Sequence, residues 1–280
     1  PQYLLAKLAR EHVTVVLTGH GGDELFAGYP AHLVAAMDDT GILNGRSIYR
    51  MAETLGRIKE EGVKRIVGLP LLARRDPDLR KYAHEAVFKP REVERLLPPK
   101  APTTARPYDP RRELDKVLAR CTAKTALDRL LYLEVKTYLP SLLLVEDRMS
   151  MAHSLEDRVP ILDHRIAEFS GRVPGAAKVH GLRLKNVPRQ YAAKRLPRRV
   201  GDHRKVGFLL PIGEWFRTDL RGYVEREVLG PGLSRLGLST DVVESVVRRH
   251  MAAGDRTDQV WSLLNLAVWQ RVVLDGRLAS

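Results

Sequence analysis

The stretch that decides the fold is VTVVLTGHGGDELFAGY, which runs from Val13 to Tyr29. Its first five residues are apolar or β-branched, a composition that favours a β-strand. A loop follows with glycine at three of four positions, Gly19, Gly21 and Gly22, and two adjacent carboxylates open a helical pattern. The stretch therefore predicts a strand, a tight loop and a helix.

This layout is typical of a nucleotide site. In α/β sheets, ligands bind beyond the carboxyl ends of strands, where the next helix presents backbone N–H groups and a partial positive charge. Because glycines let the main chain approach a phosphate closely, Gly19, Gly21 and Gly22 are candidate phosphate-binding residues. Asp23 is a candidate ligand for the magnesium ion that screens phosphate charge. The alternative is an ordinary turn in which Asp23 only caps the helix.

The composition is that of a globular protein. The chain has 280 residues, of which 44% are hydrophobic and 29% charged, enough for one large domain or two small ones. A single cysteine excludes a disulfide framework and fits a reducing compartment. The sequence contains no run of about 18 apolar residues, the length expected of a membrane-spanning helix. We therefore expect a cytoplasmic protein without a membrane partner.

The net charge of +13 raises nucleic acid as a partner. Basic residues concentrate in residues 194–199 and 203–205, but aromatic residues make up only 6% and none are interleaved there as stacking platforms. The interpretation we favour is a general surface bias. A nucleic-acid-binding module remains the alternative from another class.

After the first strand, the patterns are mostly helical. Apolar residues at spacings of three and four predict one buried helical face, formed by Leu131, Val135, Tyr138, Leu142, Val145, Met149 and Ala152. Pro140 should kink this helix or start a second one.

Two more helices are predicted near the end of the chain. One begins at Ser239 or Thr240, directs Val243, Val246, Val247 and Met251 inward and ends near Gly254. The other spans residues 259–274 and is apolar nearly all round, which indicates burial. Residues 85–112 are rich in proline and predict an irregular connection. The predicted organisation is thus a strand and nucleotide loop in residues 1–30, the connection, and a helical remainder in residues 113–280.

Two later segments make the predicted fold and function more specific. They are LVEDRMSMAHSLEDRVPILDH at residues 144–164 and RKVGFLLP at residues 204–211. Together with the first stretch, and in the same order, they resemble the synthetase domain of glutamine-hydrolysing asparagine synthetases. The resemblance runs from about Val13 to Leu274. It implies an α/β fold, the C-terminal part of an adenine nucleotide α-hydrolase-like (ATP-pyrophosphatase) domain, predominantly helical in this part.

The resemblance also implies a reaction and its residues. ATP would activate the side-chain carboxylate of aspartate as an aspartyl-adenylate, and ammonia from glutamine would displace AMP to give asparagine. Lys205 matches the catalytic lysine of the family's C-terminal loop, where it neutralises phosphate charge. The family's middle motif is matched by residues that would line or brace the pocket for aspartate and the adenylate, namely Asp147, Arg148, Glu156 and Arg158. We expect them on a short helical stretch, where residues two apart do not face each other and therefore meet different neighbours. Asp157, where the family often has alanine, is expected to be a surface change. The implied cofactors are ATP and Mg²⁺, with Asp23 as the metal ligand.

The sequence also departs from the family pattern. His20 stands where asparagine synthetases usually carry an acid, and a histidine there can act as a general base. The alternative is that His20 only caps the turn. The Ser-Gly-Gly-x-Asp-Ser loop and the N-terminal glutaminase domain are absent, so we expect these 280 residues alone to lack synthetase activity. An amidotransferase or ring-closing synthetase of the same fold, acting on another carboxylate, stays open, as does a homodimer.

Overall fold

The computed structural model describes residues 1–40, 86–97, 110–197, 210–252 and 254–276. The chain divides into two compact units. The first comprises Pro1–His84 with Asp109–Arg204, and the second comprises Glu85–Tyr108 with Lys205–Ser280. Both are mostly helical in their described parts, as the sequence predicts.

The secondary-structure elements follow one another in an order that begins with helix, strand, helix. In chain order they are α1 (Gln2–Arg10), β1 (Val15–Leu17), α2 (Gly22–Phe26), α3 (Pro30–Asp39), α4 (Pro90–Leu96), α5 (Pro110–Leu118), α6 (Ala126–Lys136), α7 (Tyr138–Met151), β2 (Glu156–Arg158), a 3-10 turn (Pro160–Leu162), α8 (His164–Arg172), α9 (Gly175–Lys178), α10 (Asn186–Arg195), α11 (Ile212–Arg217), α12 (Arg221–Val228), α13 (Pro231–Arg235), α14 (Thr240–Met251), α15 (Thr257–Trp269) and a π-helical turn (Gln270–Leu274). The second unit contains α4, α11 to α15 and the π-helical turn.

A two-stranded parallel sheet organises the first unit. Strands β1 and β2 pair so that Val15 lies opposite Glu156 and Leu17 opposite Arg158. The ladder continues by one bond beyond β1, since the Thr18 N–H donates to the Arg158 carbonyl at 2.9 Å. Because the strands are parallel, the loops that follow them leave the sheet at the same edge. This pairing confirms the predicted strand and places the glycine loop beside the end of β2.

The predicted helix break at Pro140 is confirmed. Helix α6 ends at Lys136, Thr137 leaves helical geometry, and α7 begins at Tyr138. Pro140 thus occupies the first turn of α7, where backbone N–H groups have no intrahelical partner to lose. The Thr125 hydroxyl accepts a bond from the Asp128 N–H at 3.1 Å and caps the start of α6.

The predicted buried face is only partly correct. Leu131 is buried, but Val145 is 47% exposed and Ala152 is also exposed. In α7 the buried residues are Leu139 and Ser150. The spacing of apolar residues predicted the helix, but it did not predict which face of the helix neighbouring elements bury.

The core of the first unit lies where α3 packs on α6. Its buried apolar cluster consists of Ala27, Ala35, Leu127, Leu131 and Val179. A polar pair crosses the same contact: His32 Nε2 lies 2.7 Å from Glu134 Oε2, and both side chains are fully buried. Since a buried ionisable group is costly unless it is paired, these two residues hold α3 to α6 in one arrangement.

The described elements of the second unit are all helical and pack around α15. Its buried cluster includes Phe216 from α11, Val224 from α12, Val247 from α14 and Val260 from α15. The predicted helix of residues 240–254 is confirmed as α14, with Val243 and Val247 buried and Val246 and Met251 packed against the cluster.

Two predictions for the second unit are wrong in part. The terminal helix is not buried all round, because Trp261 and Trp269 are nearly half exposed and Leu274 is 56% exposed. The proline-rich connection also contains regular structure, since α4 starts with Pro90 at its first position, where proline's fixed φ suits a helix. Within the ranges that the structure describes, no helix has the length and hydropathy needed to cross a membrane.

Candidate functional site

The loops after β1 and β2 meet at the carboxyl edge of the sheet. Gly21 packs against the 3-10 turn so closely that a Cβ atom built there would lie 2.1 Å from Leu162 Cδ2. Gly21 also has a φ of +84°, which L-residues other than glycine rarely adopt. Both facts favour glycine at this position. The loop can reach its place beside β2 because it has no side chain there.

Gly19 and Gly22 have different surroundings. Gly19 is exposed, and no atom lies within 4 Å of a Cβ built on it. Gly22 is buried and begins α2, with the side chain of Ile161 at 3.5 Å from a built Cβ. Gly19 thus borders open space, whereas Gly21 and Gly22 fit the loop against the turn after β2.

Asp23 forms an ion pair that the sequence alone does not indicate. Its Oδ1 lies 2.9 Å from Nζ of Lys185, and the side chains are 21% and 28% exposed respectively. Lys185 stands at the start of α10 with a left-handed φ of 52°, and its N–H donates to the Ala27 carbonyl at 3.2 Å. A cation is therefore held against the proposed metal ligand.

Gly28 makes room for this pair. A Cβ at Gly28 would lie 1.6 Å from Asp23 Oδ1 and 2.4 Å from Lys185 Cε. Any side chain there would collide with both members of the ion pair.

The second carboxylate of the motif has another role. Glu24 is 1% exposed and accepts a hydrogen bond from the Tyr29 hydroxyl. Burial, together with this bond to Glu24, raises the pKa of Tyr29 well above its ordinary value. The Tyr29 N–H donates to Nδ1 of His32 at 3.0 Å, which connects the turn after α2 to the buried His32–Glu134 pair. Of the two adjacent carboxylates, only Asp23 faces the candidate site.

His20 lies between a hydroxyl and a carboxylate. Its Nδ1 is 3.2 Å from Thr18 Oγ1, and its Nε2 is 4.0 Å from Oε2 of Glu146 on α7. The amide of Gln2 on α1 donates to the same Glu146 oxygen at 2.6 Å. His20 is partly exposed, so it can meet both a carboxylate partner and a ligand.

The interpretation of Glu156 and Arg158 needs correction. They do not lie on a helix with separate neighbours; they lie on β2, where residues two apart share a face. Arg158 Nε donates to Glu156 Oε1 at 2.8 Å, and both side chains are more than half exposed. The Arg158 backbone, through its bond from Thr18, is what connects this motif to the loop.

Asp157 likewise differs from expectation. Family members often carry alanine here, which favours a surface change, yet one of its carboxylate oxygens is buried and has no hydrogen-bond partner among the described residues.

The remaining predicted residues divide into two groups. Asp147 and Arg148 are exposed in the last turns of α7, beside Glu146 in sequence. Lys205 lies outside the described residues. The structure thus brings together His20, Gly21, Gly22 and Asp23, while the pocket-lining roles of Asp147 and Arg148 stay predictions.

Two residues at the site were missed by sequence reasoning. Glu146 belongs to the quoted middle segment, but the match to the family motif begins one residue later, at Asp147. Lys185 belongs to no quoted segment. Its only local signal is a lysine directly before a helical pattern, which is too common a feature to identify a site.

The chain is similar to known proteins over nearly its whole length. The sequence profile of asparagine synthase matches residues 1–271. Asparagine synthetase [glutamine-hydrolyzing] 1 of Bacillus subtilis is 26% identical over 287 residues, covering 99% of this chain and 43% of that protein. A putative asparagine synthetase [glutamine-hydrolyzing] of Mycobacterium bovis is 27% identical over 281 residues, covering 98% of this chain and 42% of its own length.

A match of this extent defines the class of protein. The chain belongs to the asparagine synthase family. It spans less than half the length of the two relatives and corresponds to a synthetase region. The family is one of ligases.

Proposed function

We propose that this chain provides the adenylating part of an ATP-dependent, amide-forming ligase of the asparagine synthetase type, on an ATP-pyrophosphatase fold. The observation that carries the proposal is the parallel pairing of β1 with β2, which brings the glycine loop, Asp23 and His20 to the edge where α/β folds bind ligands. The names of the relatives support aspartate as the acceptor and glutamine as the nitrogen source.

The adenylating step asks the protein for positioning and charge compensation. Aspartate's side-chain carboxylate attacks the α-phosphorus of ATP, and the bond to the β-phosphate oxygen breaks to release pyrophosphate. The ammonium group of Lys185 lies near the loop and would compensate phosphate charge. Gly19 borders open space, so its backbone would approach the pyrophosphate, while Gly21 and Gly22 hold the loop against the turn after β2.

The residues present fit a magnesium ion of the kind that binds mainly through phosphates. Magnesium keeps several waters and takes one or two carboxylates together with substrate phosphates. Asp23 supplies one such carboxylate, and no group of three or more acidic, histidine or cysteine residues suited to a metal occurs in the described ranges. When bound, magnesium would neutralise charge on the phosphate oxygens. To bind magnesium, the Asp23 carboxylate would either break its ion pair with Lys185 or contact both cations.

The amide-forming step needs a proton acceptor. Ammonia attacks the acyl carbon of the adenylate, the bond from that carbon to the phosphate oxygen breaks, and AMP leaves. The nitrogen must lose a proton, and we assign its acceptance to His20, which is partly exposed at the loop. An acceptor other than aspartate would use the same two steps.

The test replaces Asp23 with Asn in the complete natural protein that contains this sequence. The charge is lost at nearly constant volume, so we expect aspartate-dependent exchange between pyrophosphate and ATP to fall by roughly a hundredfold or more. Asp115→Asn is the matched control, because Asp115 is exposed on α5. An unchanged exchange rate and magnesium dependence for Asp23→Asn would leave Asp23 with only an ion-pairing role toward Lys185. A helix-cap role is not available to it, because the N-cap of α2 is Gly21 and no side chain caps that end. Exchange that responds to another carboxylate and not to aspartate would instead identify a different acceptor.

A further inference from the structure

The strongest unassigned feature near the site is the carboxylate of Glu146. It comes from α7, it faces the loop after β1, and the sequence assigns it no role. Its side chain is 19% exposed and that of His20 is 27% exposed, so the pair is largely removed from water. The 4.0 Å between His20 Nε2 and Glu146 Oε2 is an ion-pair distance and longer than a hydrogen bond.

Glu146 is itself held in place. The Gln2 amide donates to its Oε2 at 2.6 Å, and α1 packs on α7. Next to Gln2, the Tyr3 ring lies 4.3 Å from the ring of His153, which follows α7 in the chain. A carboxylate fixed by a second residue loses less side-chain entropy when it acts on a neighbour than a mobile one would.

The other side of His20 completes the arrangement. When the Nδ1–H of the ring donates to Thr18 Oγ1, the Nε2 atom carries the lone pair. A proton that arrives at Nε2 then produces an imidazolium 4.0 Å from the Glu146 carboxylate. Opposite charges at that distance, in a partly desolvated site, attract each other more strongly than they would in bulk water.

The geometry points to Glu146 as a positioning residue that acts through His20 in amide formation. The inference rests on the proposed function, because it concerns the proton that the attacking nitrogen loses. In that step the nitrogen–carbon bond forms, the carbon–oxygen bond to AMP breaks, and the proton moves from nitrogen to Nε2 of His20. Glu146 keeps its charge throughout and stabilises the imidazolium.

The experiment separates the two half-reactions in the complete natural protein. For Glu146→Gln we expect pyrophosphate exchange with ATP to stay within about twofold of the parent rate. The kcat for amide formation from ammonium should fall roughly tenfold or more, because the variant loses part of the contribution of the general base. The KM for aspartate should stay unchanged. Glu146→Asp keeps the charge and should recover part of the rate. Glu168→Gln is the matched control, since Glu168 is a well-exposed glutamate on α8.

A double variant distinguishes a role through His20 from a structural one. If Glu146 acts through His20, Glu146→Gln should cause no further loss in a His20→Ala background, because contacting residues that act as a unit are non-additive. Additive losses, an equal fall in both half-reactions, or a parental amide rate for Glu146→Gln would each overturn the inference while the proposed function stands. A parent protein that forms no amide at all would overturn both.

Discussion

Substitution of Gly28 by Ala tests whether the Asp23–Lys185 pair is built as described. The added Cβ would lie 1.6 Å from Asp23 Oδ1 and 2.4 Å from Lys185 Cε, far inside the 3.0 Å below which real Cβ contacts essentially do not occur. The Asp23 carboxylate must therefore leave its position. The 2.9 Å ion pair should break with it.

The expected loss follows from two contributions. The ends of the Asp23 and Lys185 side chains must rotate away, which costs less than the roughly 1–3 kcal/mol of overpacking a rigid core, and loss of the ion pair adds about 1 kcal/mol. A total of about 1–2 kcal/mol should lower the melting temperature of the first unit by roughly 2–8 °C. Thermal unfolding followed by circular dichroism measures this shift.

Two controls make the result specific. Gly171→Ala adds the same methyl group on α8, where no atom lies within 4 Å, so it should leave the melting temperature unchanged or raise it. In an Asp23→Ala background the nearest collision partner of the new Cβ is gone, and Gly28→Ala should cost less than in the parent. A Gly28→Ala protein that melts within about one degree of the parent would falsify the described geometry of the pair.

Two further predictions concern the buried His32–Glu134 pair and Lys205. His32→Leu removes one partner of the fully buried His32–Glu134 pair and should lower the free energy of unfolding by about 3–5 kcal/mol in urea denaturation. The double change with Glu134→Leu should recover part of that loss, since the Tyr29 N–H still lacks its bond to His32 Nδ1. An equal or larger loss in the double variant would contradict this explanation. Lys205→Ala should leave the melting temperature within a few degrees, as for a substitution away from a core, yet strongly slow pyrophosphate exchange in the complete natural protein. Lys205→Arg should slow the exchange as well, since a planar guanidinium does not replace a compact ammonium. If Lys205→Ala exchanges pyrophosphate at the parental rate, Lys205 is a surface lysine without a catalytic role.

Local patterns predicted those features that depend on local physics. The β-branched run before Thr18 gave a strand, the glycines gave the loop, and Pro140 gave a helix start, because each rests on the conformational limits of neighbouring residues. The helix over Thr240–Met251 was predictable for the same reason. These features fix where the site begins along the chain.

Contacts between distant parts of the chain were not predictable in this way. Lys185 meets Asp23, and Glu146 meets His20, only because α10 and α7 fold back on the loop. A single sequence carries no signal for such pairs. The three-residue strand β2 was misinterpreted because a helix and a strand cannot be told apart by period over so short a run.

The register of β1 on β2 determines which groups share the site. A slip of one residue would reverse the faces of a strand, and the bond from Thr18 to the Arg158 carbonyl would be lost. In the observed register Gly21 packs against Leu162, where a side chain on residue 21 would collide with that leucine. Assembly of the site therefore depends on its glycines, whereas its charges come from Asp23 on α2, Glu146 on α7 and Lys185 at the start of α10. Substitutions of the two kinds should differ accordingly: glycine replacements should lower stability first, and replacements of Glu146 should lower the reaction rate at nearly constant stability.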